Sequence, residues 1–343
     1  MAYKSWHVAS PGVLTLKEHD SVPKPGPKEV LVRIKAAAFN YRDVLVVNHD
    51  PAYPLTPDQD LVPCSDGAGT VEAVGSEVSK WKTDDNVIVF ASKWYDGLKL
   101  NDFKMEDVAG SGYEQGTLTQ YMVRDEERLF RAPTCLSMEE ACTLFTAGVT
   151  AYRALFHGPK PVGKGMAVLT LGTGGVSCYA IQLAAAAGAT VIATSSSDEK
   201  LEVARKLGAT HLVNYRNTPN WSERVLELTN CKGVDLTVDV VGAESIEQTL
   251  KSTSFGGVVV VVGLLSQDPN FKVDIMTDIL YGSKTVVGQL GAGSRDMAEG
   301  LVDFMENHDL KPQIARTFKF EEAVEGLQAA RTLTAPGKVV IKV

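Results

Sequence analysis

Between residues 166 and 289 short apolar runs alternate with helix-forming stretches, and no other feature constrains the fold as much. The strand candidates are Met166–Leu171, Thr190–Thr194, His211–Asn214, Asp235–Val241, Val258–Val262 and Thr285–Gln289. Helix candidates lie between them at Val176–Ala187, Asp198–Leu207, Trp221–Leu228 and Ser245–Lys251, the first two followed by Gly188 and Gly208. A strand covered by helices on both faces reads as a continuous β-branched run, as in Gly257-Val-Val-Val-Val-Val-Gly263 and Val238–Val241. The alternation therefore predicts an α/β fold with a doubly wound parallel sheet.

The first 130 residues have a different texture. Glu29–Lys35 alternates imperfectly, and short strand candidates follow at Thr70–Val74, Asn86–Phe90 and Thr119–Val123. Prolines and glycines punctuate them (Pro23-Lys-Pro-Gly-Pro27, Pro51, Pro54, Pro57, Pro63), which predicts a mostly antiparallel β unit. Residues 92–116 read as loop, and the C-terminus returns to strand, helix and strand at Phe318–Phe320, Glu321–Arg331 and Lys338–Val343. A chain of 343 residues accommodates about two domains at roughly 100–200 residues each.

Charge and cysteine usage exclude several classes of function. The net charge is −8, and no Lys/Arg stripe is present to neutralise nucleic-acid phosphates. No apolar run approaches the length of a membrane span, and the first residues lack a signal-peptide core. Five scattered cysteines without a C-x-x-C pair disfavour disulfide scaffolds and cysteine-rich zinc sites. The expectation is a cytoplasmic protein with reduced thiols, acting on a small molecule without nucleic-acid or membrane partners.

Leu169-Thr-Leu-Gly172-Thr-Gly174-Gly175-Val176-Ser177 joins the first strand of the alternating region to its first helix. Such a turn also occurs in plain structural roles, but its position in a βαβ unit predicts dinucleotide binding. Gly172 makes the tight turn, Gly174 lets a pyrophosphate approach, and the helix N-terminus at Gly175 and Val176 faces it. Ser177 replaces the third glycine of the pattern. The second strand ends in Ser195-Ser196-Ser197-Asp198-Glu199-Lys200. An NAD site places a carboxylate at this strand end, whereas a 2′-phosphate needs hydroxyls and cations. With Asp198 and Glu199 in the first helical turn, the pattern predicts NADPH. The alternative leaves Ser197 as a helix cap and Lys200 as a solvated charge.

Five ordered landmarks carry a resemblance over nearly the whole chain. They are Ala38-Phe39-Asn40-Tyr41-Arg42-Asp43, Pro63-Cys64-Ser65-Asp66-Gly67-Ala68-Gly69-Thr70-Val71, Thr146-Ala147-Gly148-Val149-Thr150-Ala151-Tyr152, Gly172–Ser177 and Pro336-Gly337-Lys338-Val339-Val340. The chain resembles the medium-chain dehydrogenase/reductase superfamily, specifically its zinc-free, quinone-oxidoreductase-like branch. The resemblance implies a GroES-like β-barrel catalytic domain from residues 1–146 and 292–343. A Rossmann dinucleotide-binding domain over 147–291 would lie between them in sequence, with nucleotide and substrate meeting in a cleft. Zinc-dependent relatives place Cys, His and Cys where this chain has Asn40, Ser65 and Thr146, and their structural-zinc cysteines are missing from 92–116. No metal is expected.

The resemblance also puts Asn40 and Thr150 near the nicotinamide and Tyr53 in the cleft as a candidate proton donor, with Tyr41, His49 and bulk water as rivals. Each has a plainer role open to it: Asn40 as a helix cap, Thr150 in packing, Tyr53 as an aromatic at a proline turn. Tyr215 would stack near the adenosine 2′-phosphate with Ser196 and Lys200. Val241, Gly263, Leu264 and Leu265 would line the nicotinamide ribose, and Lys338 would reach the pyrophosphate. Cys64 reads as small packing. Relatives pair the last Rossmann strand, here Lys284–Leu290, across a two-fold axis, which implies a homodimer. Without a Lewis acid, hydride transfer to the β-carbon of an enone, enal or quinone asks less of the site than reduction of a simple carbonyl. The alternatives are a zinc-free carbonyl or alcohol oxidoreductase and an NADPH-binding protein with little catalysis.

Overall fold

Six parallel strands form one sheet in the order His211–Asn214, Thr190–Ser195, Ala167–Leu171, Val234–Asp239, Thr253–Val261, Thr285–Gly288. Counted along the chain, this is the 3-2-1-4-5-6 order of the Rossmann fold. Ligands bind such sheets beyond the carboxyl ends of the strands, where the order reverses, here between Ala167–Leu171 and Val234–Asp239. This computed structural model describes residues 1–263, 265–266, 273–332 and 335–343. The sheet belongs to a unit formed by Thr150–Ala292 and Ala335–Gly337; the other unit comprises Met1–Val149, Gly293–Thr334 and Lys338–Val343.

Burial on both faces explains the strand sequences: Val168, Leu169, Val191, Ile192, Leu236, Val238 and Val259 have essentially no exposed surface. The Ala-rich helix Gly175–Ala186 is buried from Ser177 to Ala184, where small side chains let it lie close to the sheet. Two strands depart from expectation. The fourth stops at Asp239 rather than Val241, because the Asp239 carboxylate accepts the Val241 and Gly242 backbone N–H groups, both at 2.9 Å, and turns the chain out of the ladder. The fifth begins at Thr253 rather than Val258, through a register shift against Val234–Leu236.

In the other unit, a seven-stranded sheet takes strands from both ends of the chain. Ile314–Lys319, Lys338–Lys342, Glu29–Phe39, Asp66–Val74, Asn86–Val89 and Leu129–Arg131 lie in that order, and Tyr121–Asp125 also pairs with Glu29–Phe39. Glu29–Phe39 extends four residues past its expected end at Lys35. Ala36, Ala37 and Ala38 are weak strand formers, but they are buried between Asp66–Ala68 on one side and Val340–Lys342 on the other. The helix Tyr41–Val47 follows directly. Residues 92–116 contain only the single turns Leu100–Asp102 and Met105–Asp107. The buried Arg128 pins this loop, pairing with Glu114 at 3.0 Å and donating to the Asp107 carbonyl at 3.0 Å.

Among the elements that went unread in the sequence are the hairpin Tyr3–Ser10/Val13–His19, the strand Leu129–Arg131, and the helices Met138–Ala141, Thr150–Phe156 and Arg295–Asn307. The last buries Met297, Ala298, Leu301, Val302 and Met305, a helical spacing that was visible. Among the described residues, no helix is long and apolar enough to cross a membrane.

Candidate functional site

The glycine-rich turn has the shape a pyrophosphate requires. Gly172 adopts φ +74°, and beyond the adjoining residues no heavy atom lies within 4 Å of where a Cβ would stand on Gly172 or Gly174. Gly174 caps the helix, whose first bond runs from Cys178 N–H to the Gly174 carbonyl at 2.9 Å, so the N–H groups of Gly175 and Val176 start the helix without intrahelical acceptors. Their partial positive charge suits an anion. Ser177, in place of the third glycine, donates to the Leu171 carbonyl at 2.7 Å and ties helix to strand.

At the second strand end the three serines take different roles. Ser195 points inward, its hydroxyl 3.1 Å from that of Thr173. Ser197 caps the next helix by accepting the Lys200 N–H at 3.4 Å. Ser196 stays half-buried between them, and Lys200 sits one helical turn in. The neighbouring strand ends at Asn214, whose Nδ2 donates to Asp198 Oδ1 at 2.8 Å. Tyr215 follows, 41% exposed, with its N–H on the Ser195 carbonyl at 3.1 Å. Ser196, Lys200 and Tyr215 are thus carried by adjacent carboxyl ends of one sheet.

Asp239 organises the far side of the reversal, and sequence reasoning missed it. Fully buried, it accepts Ser245 Oγ at 2.8 and 2.9 Å and Thr249 Oγ1 at 3.0 Å, besides the two backbone N–H groups. Its own carbonyl accepts the N–H groups of Val262 and Gly263 at 2.8 and 3.1 Å. It therefore fixes both turns that carry Val241 and Gly263. Only glycine fits at position 263, since a Cβ there would lie 1.7 Å from the Val240 oxygen. Leu265 is exposed, and Leu264 lies outside the described residues. A carboxylate ending an otherwise apolar strand was the available signal.

In the other unit, Asn40, Ser65 and Thr146 meet around a second buried carboxylate, Asp66. Thr146 donates its N–H and hydroxyl to Asp66 Oδ1 at 3.0 and 2.6 Å, and Ser65 Oγ lies 3.0 Å from Thr146 Oγ1. Asn40 Nδ2 donates to Asp66 Oδ2 at 3.0 Å. Lys338, 3% exposed, completes the cluster with its ammonium 3.1 Å from Asp66 Oδ2 and bonded to Asn40 Oδ1. Lys338, expected at the pyrophosphate, is bonded within its own unit to Asp66 and Asn40.

Asn40 also caps the following helix, its N–H donating to Asp43 Oδ2 at 2.8 Å. Burial pushes the Asp43 carboxyl up from its ordinary range, opposed by the adjacent Arg42 guanidinium. Tyr53 is 9% exposed and packs on Leu45, Val46 and Leu61; burial raises its phenol, opposed by the nearby Arg42 guanidinium. Of its rivals, Tyr41 is half-buried and His49 exposed. Thr150 is buried at the start of its helix, in the parallel-sheet unit, and its carbonyl accepts Gln289 Nε2 at 2.9 Å. Burial pushes the Cys64 thiol well above its ordinary range, which suits packing and not nucleophilic attack.

A glycine-cradled nucleotide site on a 3-2-1-4-5-6 sheet, joined in one chain to a mostly antiparallel β unit, defines an NAD(P)-dependent oxidoreductase. Residues 26–134 match the alcohol dehydrogenase GroES-like domain, and residues 175–307 match the zinc-binding dehydrogenase domain. A zinc-type alcohol dehydrogenase-like protein of Schizosaccharomyces pombe is 38% identical, covering 95% of this chain and 94% of that protein. A quinone oxidoreductase of Pseudomonas aeruginosa is 30% identical, covering 97% and 98%. Among solved structures, an NAD-dependent alcohol dehydrogenase superposes with a TM-score of 0.89 at 31% identity, covering 99% of each chain. The chain belongs to the medium-chain dehydrogenase/reductase superfamily.

Proposed function

We propose that this protein is an NADPH-dependent reductase that delivers hydride, without zinc, to the activated C=C bond of an enone, enal or quinone. The cluster around Asp66 carries the proposal. The matched domain description implies a zinc ion, but Asn40, Ser65 and Thr146 offer an amide and two hydroxyls where thiolate and imidazole would be needed. The Lys338 ammonium already occupies the cluster as its cation, and a divalent ion beside it would be repelled. These residues do not fit zinc. Among the described residues, no group of three or more His, Cys, Asp or Glu side chains is placed to hold a metal.

A conjugated acceptor suits such a site, because charge develops on a remote oxygen that hydrogen-bond donors and a proton can meet. The purified protein is expected to hold far less than one zinc per chain, and chelators should leave NADPH oxidation by a conjugated enone unchanged. Stoichiometric zinc whose removal abolishes turnover would overturn the proposal. Relatives named alcohol dehydrogenases favour a second reading, a zinc-free carbonyl or alcohol oxidoreductase. The reduced product distinguishes the two.

The choice of NADPH rests on the ends of the second and third strands. The Asp198 carboxylate is engaged by Asn214, and Ser196, Lys200 and Tyr215 bring two hydroxyls and an ammonium to these strand ends, the groups that suit a 2′-phosphate. A charge-assisted contact contributes about 1.5–3 kcal/mol, roughly tenfold or more in affinity. NADPH should bind at least about tenfold tighter than NADH, and Lys200→Ala should remove most of that gap. Salt should narrow it by screening. Fluorescence titration of both nucleotides at low and high salt checks this; equal or tighter binding of NADH would refute it.

The edge strand Thr285–Gly288 supports a homodimer. It ends the sheet, and Val286 and Leu290 beside it are exposed, as are Ile275, Met276, Leu280 and Tyr281 in the preceding segment. A bare apolar edge favours pairing with a second copy. Light scattering at micromolar concentration should give twice the chain mass, and a monomer throughout that range would remove the claim. Five unpaired cysteines suit a reducing, cytoplasmic setting.

A further inference from the structure

We infer that Asn214 is a positioning residue for nucleotide choice, holding the Asp198 carboxylate away from the adenosine ribose; this rests on the NADPH reading above. Asn214 ends the third strand and pairs in register with Ser195, the last residue of the second. That register brings its side chain to the first turn of the helix Asp198–Lys206. Both ends of the carboxamide are engaged: Nδ2 donates to Asp198 Oδ1 at 2.8 Å, and Oδ1 accepts the Arg216 N–H at 3.1 Å.

The partners determine which way the amide faces. A carboxylate can only accept and a backbone N–H can only donate, so the flipped orientation would oppose like groups at both ends. Asn214 therefore does two things at once. It ties down a carboxylate in the first helical turn, three residues past the strand end at which a carboxylate selects NAD by accepting from the ribose hydroxyls. It also braces the turn that presents Tyr215, since its Oδ1 accepts the Arg216 N–H, while the backbone bonds of Asn217 and Thr218 to the residue-214 carbonyl hold that turn whatever the side chain.

Releasing Asp198 should act in opposite senses on the two nucleotides. The freed carboxylate would repel a 2′-phosphate of nearly two negative charges and could accept from a free 2′-hydroxyl. Asn214→Ala is expected to weaken NADPH binding about tenfold while leaving NADH binding equal or tighter. Asp198→Ala alone should keep the native preference within about twofold, and adding it to Asn214→Ala should restore most of the lost NADPH affinity, as a cycle between contacting residues requires. That rescue separates positioning from damage to the turn. An unchanged NADPH/NADH ratio in Asn214→Ala, or failure of Asp198→Ala to rescue it, would overturn the inference while native NADPH preference still stands. A native protein that prefers NADH would instead overturn the reading beneath it.

Discussion

Asp239→Ala is expected to destabilise the parallel-sheet unit by about 3 kcal/mol or more and to weaken nucleotide binding over tenfold. The carboxylate is fully buried and accepts from Val241 N–H, Gly242 N–H, Ser245 Oγ and Thr249 Oγ1. A buried donor left unsatisfied costs about 1–3 kcal/mol. Ser245 can fall back on the Gly242 carbonyl at 3.0 Å, which leaves Thr249 and two backbone groups without their acceptor. Asp239→Asn should be milder, because its Oδ1 can keep the two backbone N–H groups while its amide donates to the Ser245 and Thr249 hydroxyls. The loss of binding follows from the turn carrying Val241, which the carboxylate holds through the Val241 and Gly242 N–H groups. Chemical denaturation alongside NADPH titration tests this, and a change below about 1 kcal/mol with intact binding would count against it.

Lys338→Met should have a comparable effect in the other unit. Lys338 and Asp66 are 3% and 0% exposed and lie 3.1 Å apart. Removing one partner of a buried pair leaves an uncompensated charge and costs about 3–5 kcal/mol. In a unit of this size that is roughly 6–20 °C in Tm. Lys338→Met combined with Asp66→Leu should be milder than the sum of the two single changes, since the pair vanishes together. Additive losses would mean that the two groups do not interact. Because the ammonium is held inside the cluster, Lys338→Met should also leave the salt dependence of NADPH binding unchanged, in contrast to Lys200→Ala.

The parallel sheet was legible because its strands are buried on both faces, so that composition alone marked them. His211–Asn214 and Trp221–Leu228 fall where the sequence reading placed them. Strand ends were less legible, because Asp239 stops its strand through side-chain bonds that no periodicity records. The hairpin Tyr3–Ser10/Val13–His19 was missed although its pattern was present. Ser5 and His7 are buried alongside Trp6 and Val8, and they satisfy one another, with Ser5 Oγ 2.7 Å from His7 Nε2 and 2.6 Å from His19 Nε2. Ser5-Trp6-His7-Val8 therefore alternates polar and apolar over four residues, a short strand signal that went unread.

The candidate site divides the same way. The glycines and serines of the nucleotide turn are contiguous in sequence, and their order implies their chemistry. The Asp66 cluster joins residues up to 298 positions apart, Asn40 and Lys338, and depends on strands from the two chain ends pairing through Val339 and Phe39. No local pattern could show that Lys338 turns towards Asp66. The Asn214–Asp198 bond likewise needs the register of two parallel strands.

The central claim is transfer of hydride to carbon in a conjugated acceptor. The most direct measurement is incubation of the chelator-treated protein with NADPH, deuterated at the transferring position, and a conjugated enone, followed by product analysis. The account predicts a saturated ketone carrying deuterium at the β-carbon. An allylic alcohol with deuterium at the former carbonyl carbon would contradict it.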